Sequence, residues 1–388
     1  MGLGIAALAL ASSSGARAEP HEAEPARLSD LTDELQRIQI RMAQGDKTAY
    51  PEQLKQLRAM GAAIAAAKPE TWKKRGEVDS LVIYVLSGGA IGDVGPLLKS
   101  DALLESERPL ARGALAYITN HEADAVEAFA KIDLDELDAR LAGQVAFARS
   151  VLETKRDPKT AISLLDWARL VAPGTLVEEA ALRREIAVVA ESGDAPRVAM
   201  LTRQYATRYP DSLYAEDFFR ELARLIARYG LADEPANYLL LSGAAAELPA
   251  DSRRAFLLNI AKAAVVNGRF DAASAAANEA LKSARPGSPA ADRARLYLDA
   301  GRILSDGYDA AASDLGGLSA SELDRSDAGL LASVRSVAAQ LRTPPSPGAV
   351  EGQSDASSKV KPEGSALTIV KAEEALKRTA GFAEGAAP

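Results

Sequence analysis

The sequence predicts an all-α protein: helical hairpins stacked into a solenoid, with an N-terminal helical segment before them and a disordered C-terminal tail after. Three observations predict it. Alanine is abundant while aromatics make up 5% of the 388 residues, which suits close-packed helices better than strands, whose preference is for β-branched and aromatic side chains. A short polar turn tipping into a small-residue helix recurs, as in "NGRFDAASAAANEAL" from Asn267 and "KRDPKTAISLLDWARL" from Lys155. The recurrence also has a period.

Aligning the turns puts Asp124, Lys159, Pro196, Asp233, Asp271 and Asp309 in one register, at intervals of 35, 37, 37, 38 and 38 residues. Two residues later a small side chain usually begins the second helix of the unit, at Ala161, Val198, Ala273 and Ala311, and a proline then closes it at Pro173, Pro210, Pro249 and Pro286. The period is near the ~34 residues of the tetratricopeptide unit, the mark of stacked helical hairpins. The alanines are expected at close helix crossings, where a larger side chain would cost about 1–3 kcal/mol. The match is to this architecture; arginine or alanine stands where the tetratricopeptide signature has large aromatics.

The elements follow in order. "MGLGIAALALASSSGARAEP" has an apolar run from Leu3 to Ala11 and ends in Ala16-Arg17-Ala18, so residues 1–18 read as a signal peptide cut between Ala18 and Glu19. No basic residue precedes the run, which predicts a natural start upstream of this Met. Residues 19–27 read as a flexible leader. Residues 28–86 read as N-terminal helices: Leu28 to Met42, with Leu31, Leu35 and Ile38 at helical spacing and Ser29 or Asp30 as N-cap; Pro51 to Ala67; and Glu77 to Leu86. The repeat solenoid covers 87–341, a Pro/Ser/Gly-rich disordered linker 343–365, and a tail with room for one amphipathic helix 366–388. No other segment reaches the roughly 18 apolar residues of a membrane span, so the mature chain is expected to enter no membrane.

Composition narrows the function. Lys plus Arg number 46 against 54 Asp plus Glu, a net charge of −8, with no basic run, which argues against nucleic acid. Cysteine is absent, so disulfides, thiolate metal sites and a cysteine nucleophile are excluded. Of the two histidines, His21 lies in the leader and His121 in a repeat turn, and no pair has zinc-ligand spacing. The glycine cluster "SGGAIGDVG", Ser87 to Gly95, lacks the Gly-Lys-Ser/Thr ending of a phosphate loop and reads as the turn of a divergent first repeat. Carboxylate pairs such as Glu178-Glu179 and Asp133 with Asp135 read as solvated helix faces or i,i+4 ion-pair partners. No catalytic residue, metal site or cofactor is expected.

The densest aromatic stretch is "RYPDSLYAEDFF", Arg208 to Phe219. Core packing accounts for Tyr214 and Phe218, and any exposed remainder among Tyr209, Tyr214, Phe218 and Phe219 is the candidate anchor for a protein partner.

Four segments carry a resemblance: "LTDELQRIQIRMAQGDKTAY", "AAAKPETWKKRGEVDSLVIYVLSGG", "ARLVAPGTLVEEAALRREI" and "RYPDSLYAEDFFRELA". Over Leu28 to Leu341 the chain resembles the MotC family of periplasmic flagellar motility proteins. The resemblance implies a non-enzymatic, exported protein that works in the periplasm with the flagellar stator by contacting the periplasmic region of its MotB subunit. An envelope-assembly scaffold of tetratricopeptide type also fits the architecture. A helical peptidoglycan lytic enzyme fits it poorly, because the available Glu-Ser pairs, Glu105-Ser106 and Glu191-Ser192, both fall inside the solenoid and not in a separate catalytic domain.

Overall fold

The structure, a computed structural model, describes residues 27–342 apart from 93, 305 and 306. The expected signal peptide with its cleavage between Ala18 and Glu19, nearly all of the expected leader, the linker and the tail lie outside the described residues. Among these residues all regular structure is helical. The helices are α1 (Leu28–Ala43), α2 (Ala49–Ala66), α3 (Arg75–Leu86), α4 (Gly95–Lys99), α5 (Arg108–Ile118), α6 (Glu122–Phe129), α7 (Ala139–Glu153), α8 (Pro158–Val171) and α9 (Leu176–Glu191), followed by α10 (Ala195–Arg208), α11 (Ala215–Arg228), α12 (Pro235–Ala244), α13 (Ala250–Val266), α14 (Phe270–Ser283), α15 (Pro289–Arg302), α16 (Tyr308–Gly317) and α17 (Arg325–Arg342).

The turn register marks one class of helix start. Asp124, Lys159, Pro196, Asp271 and Asp309 lie in the first turns of α6, α8, α10, α14 and α16, and Asp233 lies just ahead of α12. The small residues that follow, Ala161, Val198, Ala273 and Ala311, are all buried. Pro173, Pro210 and Pro286 stand just past the ends of α8, α10 and α14, while Pro249 directly precedes α13.

The polar phrase before each of these helices has a local cause. In "NGRF", Gly268 takes a left-handed conformation at φ +72°, which costs glycine nothing. Its N–H reaches the carbonyl of Val265 at 3.1 Å and the Arg269 N–H reaches that of Ala264 at 2.8 Å. This paired bonding satisfies the last carbonyls of α13 and reverses the chain. The same outer bond closes four more helices: Leu231 to Ile226, His121 to Ala116, Gly89 to Tyr84 and Asp46 to Arg41. At α5 the left-handed residue is Asn120, the residue type that follows glycine in tolerance of that region.

Two starts differ from the sequence reading. Helix α1 begins at Leu28 with Arg27 at its cap and no side-chain cap bond, so Ser29 and Asp30 lie inside the first turn, where the Asp30 carboxylate meets the positive end of the helix dipole. Helix α2 begins at Ala49, and Pro51 is accommodated within its first turn.

Packing forms two layers. The odd-numbered helices α7, α9, α11, α13, α15 and α17 each contact the next in that series, α1 and α3 extend the layer on the N-terminal side, and the even-numbered helices lie over it, with α12 touching both α10 and α14. Helix α11 shows how sequence sets orientation: Ala215, Phe218, Phe219, Leu222, Ala223 and Ile226 are buried, while Glu216, Asp217, Arg220, Glu221 and Arg224 are exposed. That is a one-sided apolar stripe.

The apolar core has two main bodies. One runs from Leu28 to Leu152, so residue 86, the expected edge of the N-terminal helices, falls inside a continuous core. The other runs through α9 to α17. A small cluster of Ala146, Leu164, Leu165, Ala168 and Ala181 links α7, α8 and α9 between them. A second link is long-range: Ile38, Met42 and Ala49 pack against Leu176, Leu213 and Tyr214, bringing α1 onto α9.

Candidate interaction surface

The aromatic stretch expected to anchor a partner is core. Tyr209, Phe218 and Phe219 are 3%, 7% and 6% exposed and Tyr214 is half-buried. The rings form a ladder inward: Tyr205 to Phe218 at 4.2 Å between centroids, Phe218 to Phe219 at 5.2 Å, and Phe219 to Phe256 of α13 at 5.3 Å. The Arg183 guanidinium covers the Tyr214 ring at 4.8 Å. Four aromatics within eleven residues fall mostly on one side because α11 presents its apolar stripe inward, and that leaves none of the three buried rings available as an anchor.

What holds this region is a set of carboxylates on α9. Glu178 and Glu179 are buried, not on a solvated face. Glu178 Oε2 accepts from the Gly174 N–H at 2.6 Å, the Tyr209 hydroxyl at 2.6 Å and Arg208 at 2.7 Å. Glu179 accepts from the Tyr205 hydroxyl at 2.6 Å, Ser212 at 3.1 Å and Arg183 at 2.9 Å, the last an i,i+4 pair of the expected kind. Glu185 joins Arg169 of α8 at 2.5 Å and Arg197 of α10 at 2.9 Å. Burial, reinforced by the neighbouring carboxylates, pushes the phenols of Tyr205 and Tyr209 well above their ordinary value, so both remain donors. Each carboxylate is therefore paired and hydrogen-bonded, the condition under which a buried charge is tolerated.

The pattern was readable in one respect. Glu178, Leu182, Glu185 and Val189 lie at spacings of four, three and four, the apolar seam of a helix. Carboxylates in that seam are buried and need partners. Three of the four segments that carry the family likeness converge here: α9 with its carboxylates, the 208–219 stretch with its tyrosines, and the α1–α2 corner, whose Met42 carbonyl accepts from the Leu213 N–H at 3.5 Å.

Other sequence candidates take structural roles. The glycine cluster folds around Tyr84: the Ala90 N–H donates to its hydroxyl at 2.9 Å, and a Cβ on Gly89 would overlap the ring. His121 is exposed and caps a turn, with Nδ1 2.9 Å from Thr119 Oγ1. Ser106 bonds the Glu107 carboxylate at 3.3 Å and Ser192 bonds the Val189 carbonyl at 2.7 Å. Among the described residues no group of His, Cys, Asp and Glu is placed to hold a metal ion, and no helix is long and apolar enough to cross a membrane.

The surface beyond these elements carries several large apolar side chains, including Leu170 on α8, Met200 on α10 and Leu239 on α12. It also holds a groove of about 620 Å³ between the 130–135 loop and α8. Leu164 and Trp167 of α8 line it on one side, Arg149 of α7 and Ile132 on the other. No local motif marks this groove, because its residues come from three elements.

No solved structure matches the chain. A curated relative, the Chemotaxis protein MotC of Rhizobium meliloti (strain 1021), is 27% identical over 315 residues, covering 80% of this chain and 71% of that protein. The family model described as Chemotaxis protein MotC matches residues 2–386. That match spans the buried α9 junction and both layers of helices alike, and by it the chain belongs to the MotC family.

Proposed function

We propose that the chain is a non-catalytic motility protein of the periplasm that binds the periplasmic region of the flagellar stator subunit MotB. The observation that carries this reading is membership of a chemotaxis and motility family along nearly the whole chain. The apolar N-terminal run followed by Ala16-Arg17-Ala18 supports export. The helix stack supports binding over chemistry: hairpins in two layers offer a long continuous surface for a protein segment, and the buried carboxylates are consumed by Arg and Tyr partners instead of being poised over a cleft. Binding would favour one conformation of the stator's periplasmic part, coupling the presence of this protein to motor rotation by population shift.

The test is a pull-down with the purified periplasmic region of MotB as bait. Retention of this chain at micromolar concentration is the expected result; no retention above a bait-free control contradicts the partner assignment.

A further inference from the structure

The groove beside α8 has a chemistry of its own. At depth it holds Arg149, whose guanidinium donates to the Ile132 carbonyl at 3.3 Å and forms no ion pair with any described carboxylate. Its neighbour Glu153, one turn along α7, is paired with Arg156 at 3.8 Å. Burial lowers the Arg149 guanidinium from its ordinary value, with the Glu153 charge opposing, so the cation is partly desolvated and has no carboxylate in direct contact. The floor is apolar, with Leu164 buried and Trp167 and Ile132 half-buried. The Trp167 indole N–H is buried without a hydrogen-bond partner, an unfavourable state for a polar group.

The α8 wall adds two hydroxyls. Thr160 Oγ1 donates to Asp157 Oδ2 at 2.7 Å and Ser163 Oγ donates to the Lys159 carbonyl at 3.2 Å. With their protons committed, both exposed hydroxyls face solvent as acceptors, the complement of peptide N–H groups. The rim is mixed, with Lys131, Asp133 and Asp135 exposed, and Asp133 bonded to the Asp135 N–H at 3.0 Å.

We propose that this groove docks an extended segment of the partner protein, pairing one internal aspartate or glutamate with Arg149 and seating a neighbouring apolar side chain on Leu164 and Trp167. A bare anion would leave the apolar floor uncovered, and an uncharged segment would leave Arg149 unpaired. The rim carboxylates Asp133 and Asp135 disfavour a run of acids and favour a basic residue beside the single carboxylate. The inference rests on the reading of this chain as a binding protein and adds the place and chemistry of the contact.

The experiment uses the full chain and two defined peptides, Ac-Ala-Leu-Asp-Leu-Lys-Ala-NH2 and its Asn counterpart, titrated by calorimetry and by tryptophan emission. Saturable binding of the Asp peptide is expected, about tenfold tighter than the Asn peptide. Arg149→Gln should erase the difference, Arg149→Lys should keep part of it, and Trp167→Phe should remove the emission change. Unaltered melting of the Arg149 variants keeps the comparison independent of folding. Equal affinity for the two peptides, no saturable binding, or binding unaltered by Arg149→Gln overturns the proposal, as does self-association of the chain that Arg149→Gln abolishes. Failure here combined with retention on the MotB bait removes the groove and leaves the partner. Peptide binding by a chain that the bait does not retain removes the partner and leaves the groove.

Discussion

A Cβ added to Gly45 would overlap the carbonyl oxygen of Asp211. The corner between α1 and α2 thus meets the connection between α10 and α11 backbone to backbone, across more than 160 residues of sequence. Gly45 also sits at φ +91°, where side chains are strained. Gly45→Ala is expected to destabilise the protein by more than about 2 kcal/mol and to raise protease sensitivity of the α1–α2 hairpin before the rest. Urea unfolding with limited proteolysis checks it; an unaltered midpoint contradicts the docking.

The buried α9 carboxylates yield a coupling prediction. Glu179→Ala strands the Tyr205 and Ser212 hydroxyls and the Arg183 charge, and should cost about 3–5 kcal/mol. Glu179→Gln and Tyr205→Phe should each cost less, about 1–2 kcal/mol, and the double variant should cost clearly less than their sum. Additive losses in denaturant unfolding would show that the two side chains do not act as a pair.

Acid and base act on different residues. Asp79 is pushed up to about 6 by burial, then by the nearby Glu107 charge, and its Oδ1 has no hydrogen-bond partner. Because the folded value lies above the unfolded value of 3.8, the stability tied to neutral Asp79 is full below about pH 4 and is lost as pH rises through about 6. Asp79→Asn should therefore stabilise the protein at pH 8, by about 1–2 kcal/mol after solvent screening, and have little effect at pH 4. Asp327 is the opposite case. Burial pushes its carboxyl up, but the bonds from Lys262 at 2.8 Å and Tyr297 at 2.6 Å outweigh that and hold it below the usual range. Its contribution is present above the unfolded value and is lost as pH falls through the depressed one, so Asp327→Asn should lower stability near pH 7 and make the further loss on acidification smaller. Melting temperatures across pH 3 to 8 check both signs.

Helix crossings make a fourth test. Ala273 is fully buried in α14, which packs between α13 and α15. Ala273→Leu is expected to cost about 1–3 kcal/mol. A melting temperature unaltered within error would remove Ala273 from the crossing.

The turns are legible because they are local: a left-handed residue (Asn120, Gly193, Gly230 or Gly268) precedes α6, α10, α12 and α14, and an aspartate side chain caps α8 and α10. Burial around 208–219 was harder to read. Aromatic density says that large side chains are present, while the side they face depends on the phase of α11 and on neighbours from α9, α10 and α13. An acidic pair such as Glu178-Glu179 on a helix reads as a solvated face or as i,i+4 ion-pair partners; only the apolar seam that Glu178 shares with Leu182, Glu185 and Val189 signals burial. The approach of Gly45 to Asp211 and the Arg149–Trp167 groove join residues far apart in sequence, and nothing in either local stretch specifies the other.

In the proposed function, this protein serves motor rotation through a partner and not through assembly of the filament. The most direct measurement is a clean deletion scored by electron microscopy for flagella and by video tracking for swimming. The expected cells carry filaments but do not swim, and the wild-type chain restores motility. Fully motile deletion cells would contradict the proposed function.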